Sequence, residues 1–125
     1  KMELYKAGHH GSKTSSSNKL LSVIDPEIVC ICCCAGSSEY TANVNNQFPT
    51  QDFINRIAKC TTKVYLTTLC IDYTKGEFES FNGNIIVYSN STSQTFVACA
   101  NNSTLLKDTD WFKQNRTCPA EWLAS

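Results

Sequence analysis

The chain has 125 residues, of which 42% are hydrophobic and 18% charged, and this balance predicts one folded, soluble domain rather than a disordered chain. Its 11 basic and 11 acidic residues cancel, so charge gives no nucleic-acid signal and no attraction to acidic membranes. The longest apolar run, residues 28–35, is far shorter than the roughly 18 residues of a membrane span. We therefore expect no membrane segment.

The beginning of the chain has the pattern of a strand followed by a helix. Residues 2–7 alternate polar and apolar side chains, which predicts a short strand with Leu4 facing inward, ending at Gly8. Serines at 15–17 offer an N-cap for a short helix that ends before Pro26. The predicted apolar face of that helix consists of Leu20, Leu21, Val23 and Ile24.

The apolar run at residues 28–35 predicts a central strand buried on both faces. It contains Cys30, Cys32, Cys33 and Cys34, which we interpret as small buried hydrophobic residues, because neighbouring strand side chains point to opposite faces and cannot pair. A thiolate metal cluster or a redox role is the alternative, although the chain lacks the paired CxxC motifs of a zinc knuckle.

Four further cysteines are scattered along the chain, and a disulfide between two of them stays open: Cys60, Cys70, Cys99 and Cys118. Clustered cysteines inside a buried strand are more typical of a reduced compartment than of a disulfide scaffold. We therefore expect a cytoplasmic location, with a secreted or extracytoplasmic one as the alternative.

A second helix and a third strand complete a β-α-β-α-β order over residues 1–68. Thr50 is the predicted N-cap of the helix, and residues 63–68 form the strand. The short connections predict parallel strands in a layered α/β sheet.

Residues 69–125 have a different pattern. An Asn-Gly turn at 82–83 precedes strands at 85–88 and 95–99, which are joined by a turn at 90–93 and predict an antiparallel hairpin. Residues 104–125 carry two tryptophans and are expected to pack onto the sheet. We treat the whole chain, 1–125, as a single domain.

The chemistry-bearing motif is the pair His9 and His10, flanked by Gly8 and Gly11 at the end of the first strand. Neutral imidazole is a common metal ligand, and glycine lets the backbone approach a ligand closely. The carboxyl edge of a parallel sheet is where α/β folds place their sites. An exposed histidine pair with a purely structural role is the alternative.

The segment LYKAGHHGSKTSSS, followed by LLSVIDPEIVCIC, resembles the C-terminal part of metallo-β-lactamase-fold hydrolases, in the group that includes the hydrolase domain of DNA-uptake competence proteins. The similarity extends through residues 50–57 and 63–68 and loosely into 83–87. It implies an α/β fold, the C-terminal half of a four-layer αβ/βα metallo-β-lactamase fold, with β-α-β-α-β followed by an antiparallel hairpin.

The resemblance also implies a function, metal-dependent hydrolysis of a phosphodiester or ester. The cofactor would be zinc, as one or two ions in the full-length protein, with manganese as the alternative. His9 and His10 are the implied metal ligands, and which imidazole binds stays open. The residues implied to line the substrate site are Ser12, Ser15, Ser16 and Ser17.

Two departures from that family pattern shape our expectations. Phe48 stands where the family commonly has a ligating histidine, and the main ligand cluster of its N-terminal half is absent from this chain. Because the first residue is Lys1, we expect a piece of a longer protein. Two imidazoles are fewer than the three or four ligands of a tight zinc site, so we expect this piece to be inactive alone and without tightly bound zinc. Its expected partners are the missing N-terminal half or a second copy pairing through the exposed sheet. A catalytically degenerate binding or structural module is the alternative.

Overall fold

The computed structural model describes residues 1–92 and 94–123, and it has a mixed α/β architecture. Its first part consists of β1 (Met2–Lys6), α1 (Asn18–Ile24), β2 (Pro26–Ala35), α2 (Gln51–Ile57) and β3 (Val64–Asp72). Its second part consists of β4 (Glu77–Glu79), β5 (Ile85–Ser89), β6 (Thr95–Cys99), α3 (Asp110–Asn115) and α4 (Ala120–Leu123). None of the helices in the described ranges has the length and apolar character needed to cross a bilayer.

The strands form a four-stranded sheet in the order β1-β2-β3-β4 and a separate two-stranded hairpin of β5 and β6. Strands β1, β2 and β3 are parallel, and β5 and β6 are antiparallel, as predicted. The sequence did not predict β4, which pairs antiparallel with the extension of β3 beyond residue 68. Ser93, in the predicted turn at 90–93, and residues 124–125 of the packing segment lie outside the described residues.

One face of the sheet is closed by all four helices. Strand register places Val29 beside Val64 and Ile31 beside Leu66, and all four side chains are fully buried in the main core. The members that α1, α2 and the C-terminal segment contribute to this core are Leu21, Phe53, Ile54, Ile57, Phe112 and Trp122. The C-terminal segment therefore packs onto the sheet as predicted, through rings that are each 2% exposed.

The opposite face of the sheet is open, and the inward orientation predicted for Leu4 is wrong. Leu4 is in register with Ile28, on the face away from the helices, and it is 43% exposed. Alternation identified the two faces of β1 but not which one the core would cover. The hairpin lies partly over this face, leaving a cavity of about 710 Å³ between Cys30, Cys32 and the strand that contains Ile86.

The cysteines of β2 are not uniformly buried, and the prediction of complete burial is wrong at Cys32. Cys30 is buried, Cys33 and Cys34 are half-buried, and Cys32 is exposed. Alternation continues along β2, with Ile31, Cys33 and Ala35 toward the main core, so Cys32 lies on the other face beside the open cavity. All eight cysteines belong to the described residues, and each is a free thiol.

These environments predict an order of thiol reactivity. Burial raises the pKa of Cys30 to about 11 and that of Cys33 to about 12, so little thiolate forms at either sulfur. Under native, mildly alkaline conditions we expect iodoacetamide to modify Cys32 first, and Cys30 and Cys33 only after unfolding. Peptide mass spectrometry at successive times measures this order. Equal native rates at all three sulfurs would contradict the burial of Cys30 and Cys33.

Candidate functional site

The two histidines lie in a left-handed turn directly after β1. Gly8–Gly11 is a short 3-10 segment in which His9 has φ 43° and ψ 46°, and His10 has φ 56° and ψ 23°. Gly11 follows with φ 78°, so three successive residues have positive φ. For a residue with a Cβ this conformation costs about 1–2 kcal/mol, so surrounding contacts must hold it in place.

Both imidazoles are exposed, and one has its tautomer fixed by the backbone. The Nδ1 of His10 donates to the carbonyl oxygen of Cys32 on β2 at 2.6 Å. In the neutral ring this leaves the lone pair on Nε2, the arrangement that histidine uses as a metal ligand or proton acceptor. The ring centroids of His9 and His10 are 6.2 Å apart.

Phe48 packs against both imidazoles. Its ring centroid lies 5.3 Å from that of His9 and 6.0 Å from that of His10. The Tyr40 ring also packs against Phe48, with 5.8 Å between the two ring centroids. Position 48, where the sequence departs from the family pattern, thus contacts the histidine pair although it lies 38 residues beyond His10. A pocket of about 140 Å³ adjoins this aromatic cluster, and its lining includes Glu39.

The site is formed by two loops at the carboxyl ends of adjacent parallel strands. The histidine loop, residues 7–17, follows β1, and the Phe48 loop, residues 36–50, follows β2. The carbonyl of Gly11 accepts from the backbone N–H of Thr50 at 3.0 Å and from its Oγ1 at 3.4 Å. The N–H of Gly36 donates to the carbonyl of Phe48 at 3.1 Å, which holds the second loop closed.

Two of the four predicted substrate-binding serines, Ser12 and Ser15, hold the histidine loop together. The hydroxyl of Ser12 lies 3.0 Å from that of Thr14, and the side chain of Ser12 is buried. The hydroxyl of Ser15 donates to the carbonyl of Gly8 at 2.8 Å and to that of Ser12 at 3.2 Å. Both hydroxyls have structural partners, and substrate contact by them stays a prediction.

The other two serines, Ser16 and Ser17, connect the loop to its neighbours. The hydroxyl of Ser16 is 3.0 Å from the Tyr5 hydroxyl on β1, and Ser16 is 5% exposed. Ser17 is the N-cap of α1, and its hydroxyl accepts from the N–H of Leu20 at 3.2 Å. The predicted capping is confirmed, and the predicted role of these residues in substrate binding stays a prediction.

Two side chains that the sequence did not predict at the site, Arg56 and Arg116, contact these loops. Both donate to main-chain carbonyls of the histidine loop or the Phe48 loop. Their partners lie about 40 and 70 positions away along the chain, and the accepting group is the backbone that every residue carries. No local pattern in the sequence distinguishes such an arginine from a solvated one.

The described residues do not by themselves fit a zinc centre. His9 and His10 have the right ligand chemistry, but Phe48 cannot ligate, and a tight site needs three or four protein ligands. Within residues 1–92 and 94–123, no three side chains of His, Cys, Asp or Glu come together in a way that could hold a metal ion. Any metal at this loop would need ligands from outside that part of the chain.

Comparison with protein-family models, curated proteins and solved structures finds no match to this chain. The structure itself shows a mixed α/β fold, a four-stranded sheet with helices on one face and a separate hairpin. The site consists of two imidazoles, the aromatic ring beside them and the two loops that hold them.

The close contact between the two loops makes Gly11 sensitive to substitution. A Cβ at Gly11 would lie 3.0 Å from the Cβ of Pro49 and 3.1 Å from the Phe53 ring, whereas Gly76, with a similar φ of 68°, has nothing within 4 Å. Gly76→Ala should cost about 1–2 kcal/mol of unfolding free energy from backbone conformation alone, and Gly11→Ala distinctly more. Urea unfolding followed by tryptophan fluorescence compares the two. Equal costs would show that the loops are not in contact at Gly11.

Proposed function

We propose that this chain is the C-terminal portion of a metal-dependent hydrolase of the metallo-β-lactamase fold, acting on a phosphodiester or ester. The observation that carries the proposal is the convergence of His9, His10 and Phe48 at the carboxyl edge of two adjacent parallel strands. The resemblance associates a ligating histidine with position 48, and that position contacts both imidazoles. A chance motif match would not require residues 9 and 48 to meet.

The conformation of the histidine loop supports a functional role for the pair. Two non-glycine residues in left-handed geometry are costly, and strained backbone of this kind is concentrated at functional sites. The hydrogen bond from His10 to the carbonyl of Cys32 leaves Nε2 as the basic nitrogen. Such a bond fixes the tautomer and the orientation of a ligating imidazole.

This chain would supply part of a catalytic centre, with the rest in an N-terminal half. When bound, zinc or manganese would supply an activated water for hydrolysis. His9 and His10 would hold one side of the ion, and Phe48 would exclude solvent from the wall behind them. With two imidazoles, the isolated chain should bind zinc weakly and lack activity.

The open face of the sheet supports the proposal that a further part of the protein packs against this chain. Leu4 is 43% exposed on this face, and the hairpin beside it leaves Ile86 at 59% and Tyr88 at 52% exposure. Such apolar exposure is usual where another surface packs. An N-terminal half would cover this face, and a second copy of the chain is the alternative partner.

Phe48 favours a second candidate function, a binding or structural module of the same fold that has lost catalysis. The phenyl ring occupies the space beside both imidazoles where a further ligand would be required. The hydroxyls of the four serines have partners within the loop, on β1 or at the helix cap. In this candidate the histidine loop is retained as structure or as a recognition surface.

The test uses the complete protein that contains this chain, stripped with a chelator and reloaded with zinc or manganese. The hydrolase proposal predicts stoichiometric metal and hydrolysis of bis(p-nitrophenyl) phosphate, both lost in His9→Ala because an imidazole ligand is removed. Lys75→Ala, an exposed change in the turn between β3 and β4, is the matched control and should equal the wild type. Metal content and initial rates are measured for each variant.

Two outcomes would overturn the hydrolase proposal. The first is undiminished activity in both His9→Ala and His10→Ala. The second is a wild-type protein without metal or activity that gains metal on Phe48→His, which places a third imidazole against the first two. This second result would establish the degenerate module, with position 48 as the site of the loss.

A further inference from the structure

We propose that Arg56 and Arg116 are positioning residues that fix the histidine loop and the Phe48 loop through main-chain carbonyls, and so set the contact between Phe48 and the imidazoles. The two guanidinium groups come from different elements: Arg56 lies on α2, and Arg116 directly follows α3. The inference rests on the proposed function for its relevance to catalysis, but the loop geometry can be measured without metal.

Arg56 donates hydrogen bonds to several main-chain carbonyls of the histidine loop. Its Nε donates to the carbonyl of Ser16 at 3.0 Å, and its Nη2 donates to those of Ser15 at 2.8 Å and Lys13 at 2.9 Å. The carbonyl of Ser12 lies at the limit of hydrogen bonding, 3.5 Å from the same nitrogen. A single guanidinium therefore fastens the second half of the histidine loop to α2.

Arg116 does the same for the Phe48 loop. Its Nε donates to the carbonyl of Pro49 at 3.0 Å, and its Nη2 donates to those of Gln47 at 2.8 Å and Val44 at 3.1 Å. Its Nη1 donates to the carbonyl of Asn115 at 2.8 Å. The carbonyls of Gln47 and Pro49 flank Phe48 on both sides, so the backbone that carries the ring is held at two points.

Both arginines act on carbonyls rather than on carboxylates. The ion pairs found among the described residues all involve lysine, so neither guanidinium is neutralised there by an acid. Arg116 also lies 4.8 Å above the Trp111 ring, and burial lowers its pKa. Five N–H donors in a rigid plane allow one arginine to serve several carbonyls, which a lysine ammonium does not match.

Hydrogen bonding joins the two loops between Gly11 and Thr50, so the shape of each loop sets where its rings lie. The carbonyl of Gly11, directly after the histidines, accepts both hydrogen bonds from Thr50, two residues after Phe48. Loss of either arginine would leave several carbonyls without donors and free one loop to move against that joint. The 5.3 Å contact between the rings of Phe48 and His9 would then be lost.

The experiment measures nuclear Overhauser contacts between the Phe48 and His9 rings in this 125-residue chain, well below the unfolding temperature of each variant. We expect the contacts in the wild type and their loss, with shifted His9 and His10 ring signals, in Arg56→Lys and Arg116→Lys. Thr61→Ala is the control, because it removes a partly buried 2.6 Å hydrogen bond to the carbonyl of Glu27 at the other end of the sheet. It should lower stability and leave the ring contacts intact.

Retained ring contacts in both lysine variants would overturn the inference, and so would their equal loss in Thr61→Ala, which would indicate a general loss of stability. If a lysine variant does not fold, the wild-type chain still provides a test. Its Arg56 and Arg116 Nε–H protons must be protected from solvent exchange, and rapid exchange at both would overturn the inference. Failure of the complete protein to bind metal would reject the proposed function while leaving these results in place.

Discussion

The hydrogen bonds between Gly11 and Thr50 are the interaction on which the candidate site depends. The Gly11 carbonyl ends the left-handed turn of the histidines, and Thr50 ends the Phe48 loop and also caps α2 through its hydroxyl, which accepts from the N–H of Phe53. One residue thus determines where a core helix begins and where two loops meet. Because Phe53 is fully buried, the position of the joint is tied to the packing of the main core.

The two faces of the sheet differ in a way that bears on function. The face of Val29 and Leu66 is sealed by helices, and the face of Leu4 and Cys30 is left to a two-stranded hairpin. Parallel sheets are ordinarily covered on both faces because their strands are apolar throughout. The open face of this sheet carries exposed apolar side chains such as Leu4, and a surface that packed there would add buried area.

The order of β1, α1, β2, α2 and β3 could be predicted because each element has its own local signal, a cap or a run of apolar residues. β4 could not, since Glu77, Phe78 and Glu79 are exposed and acquire strand geometry only by pairing with the extension of β3. The faces of Leu4 and Cys32 depend on which side the helices cover. The contacts of Arg56 and Arg116 span long sequence separations and use backbone carbonyls as acceptors. The residue types of the partners therefore do not predict these contacts.

The backbone geometry of the histidine loop does not depend on how many metal ligands surround it. His9 and His10 adopt left-handed backbone although residue 48 is not a metal ligand, and Phe48 contributes an apolar ring against both imidazoles. The costly turn therefore forms without a coordinating group at position 48. The hydrogen bond from His10 Nδ1 to the carbonyl of Cys32 in the sheet leaves the lone pair on Nε2, where it can bind a group from outside this loop. Any ligand-binding role of the pair would therefore draw its further groups from outside the Phe48 loop rather than from within it.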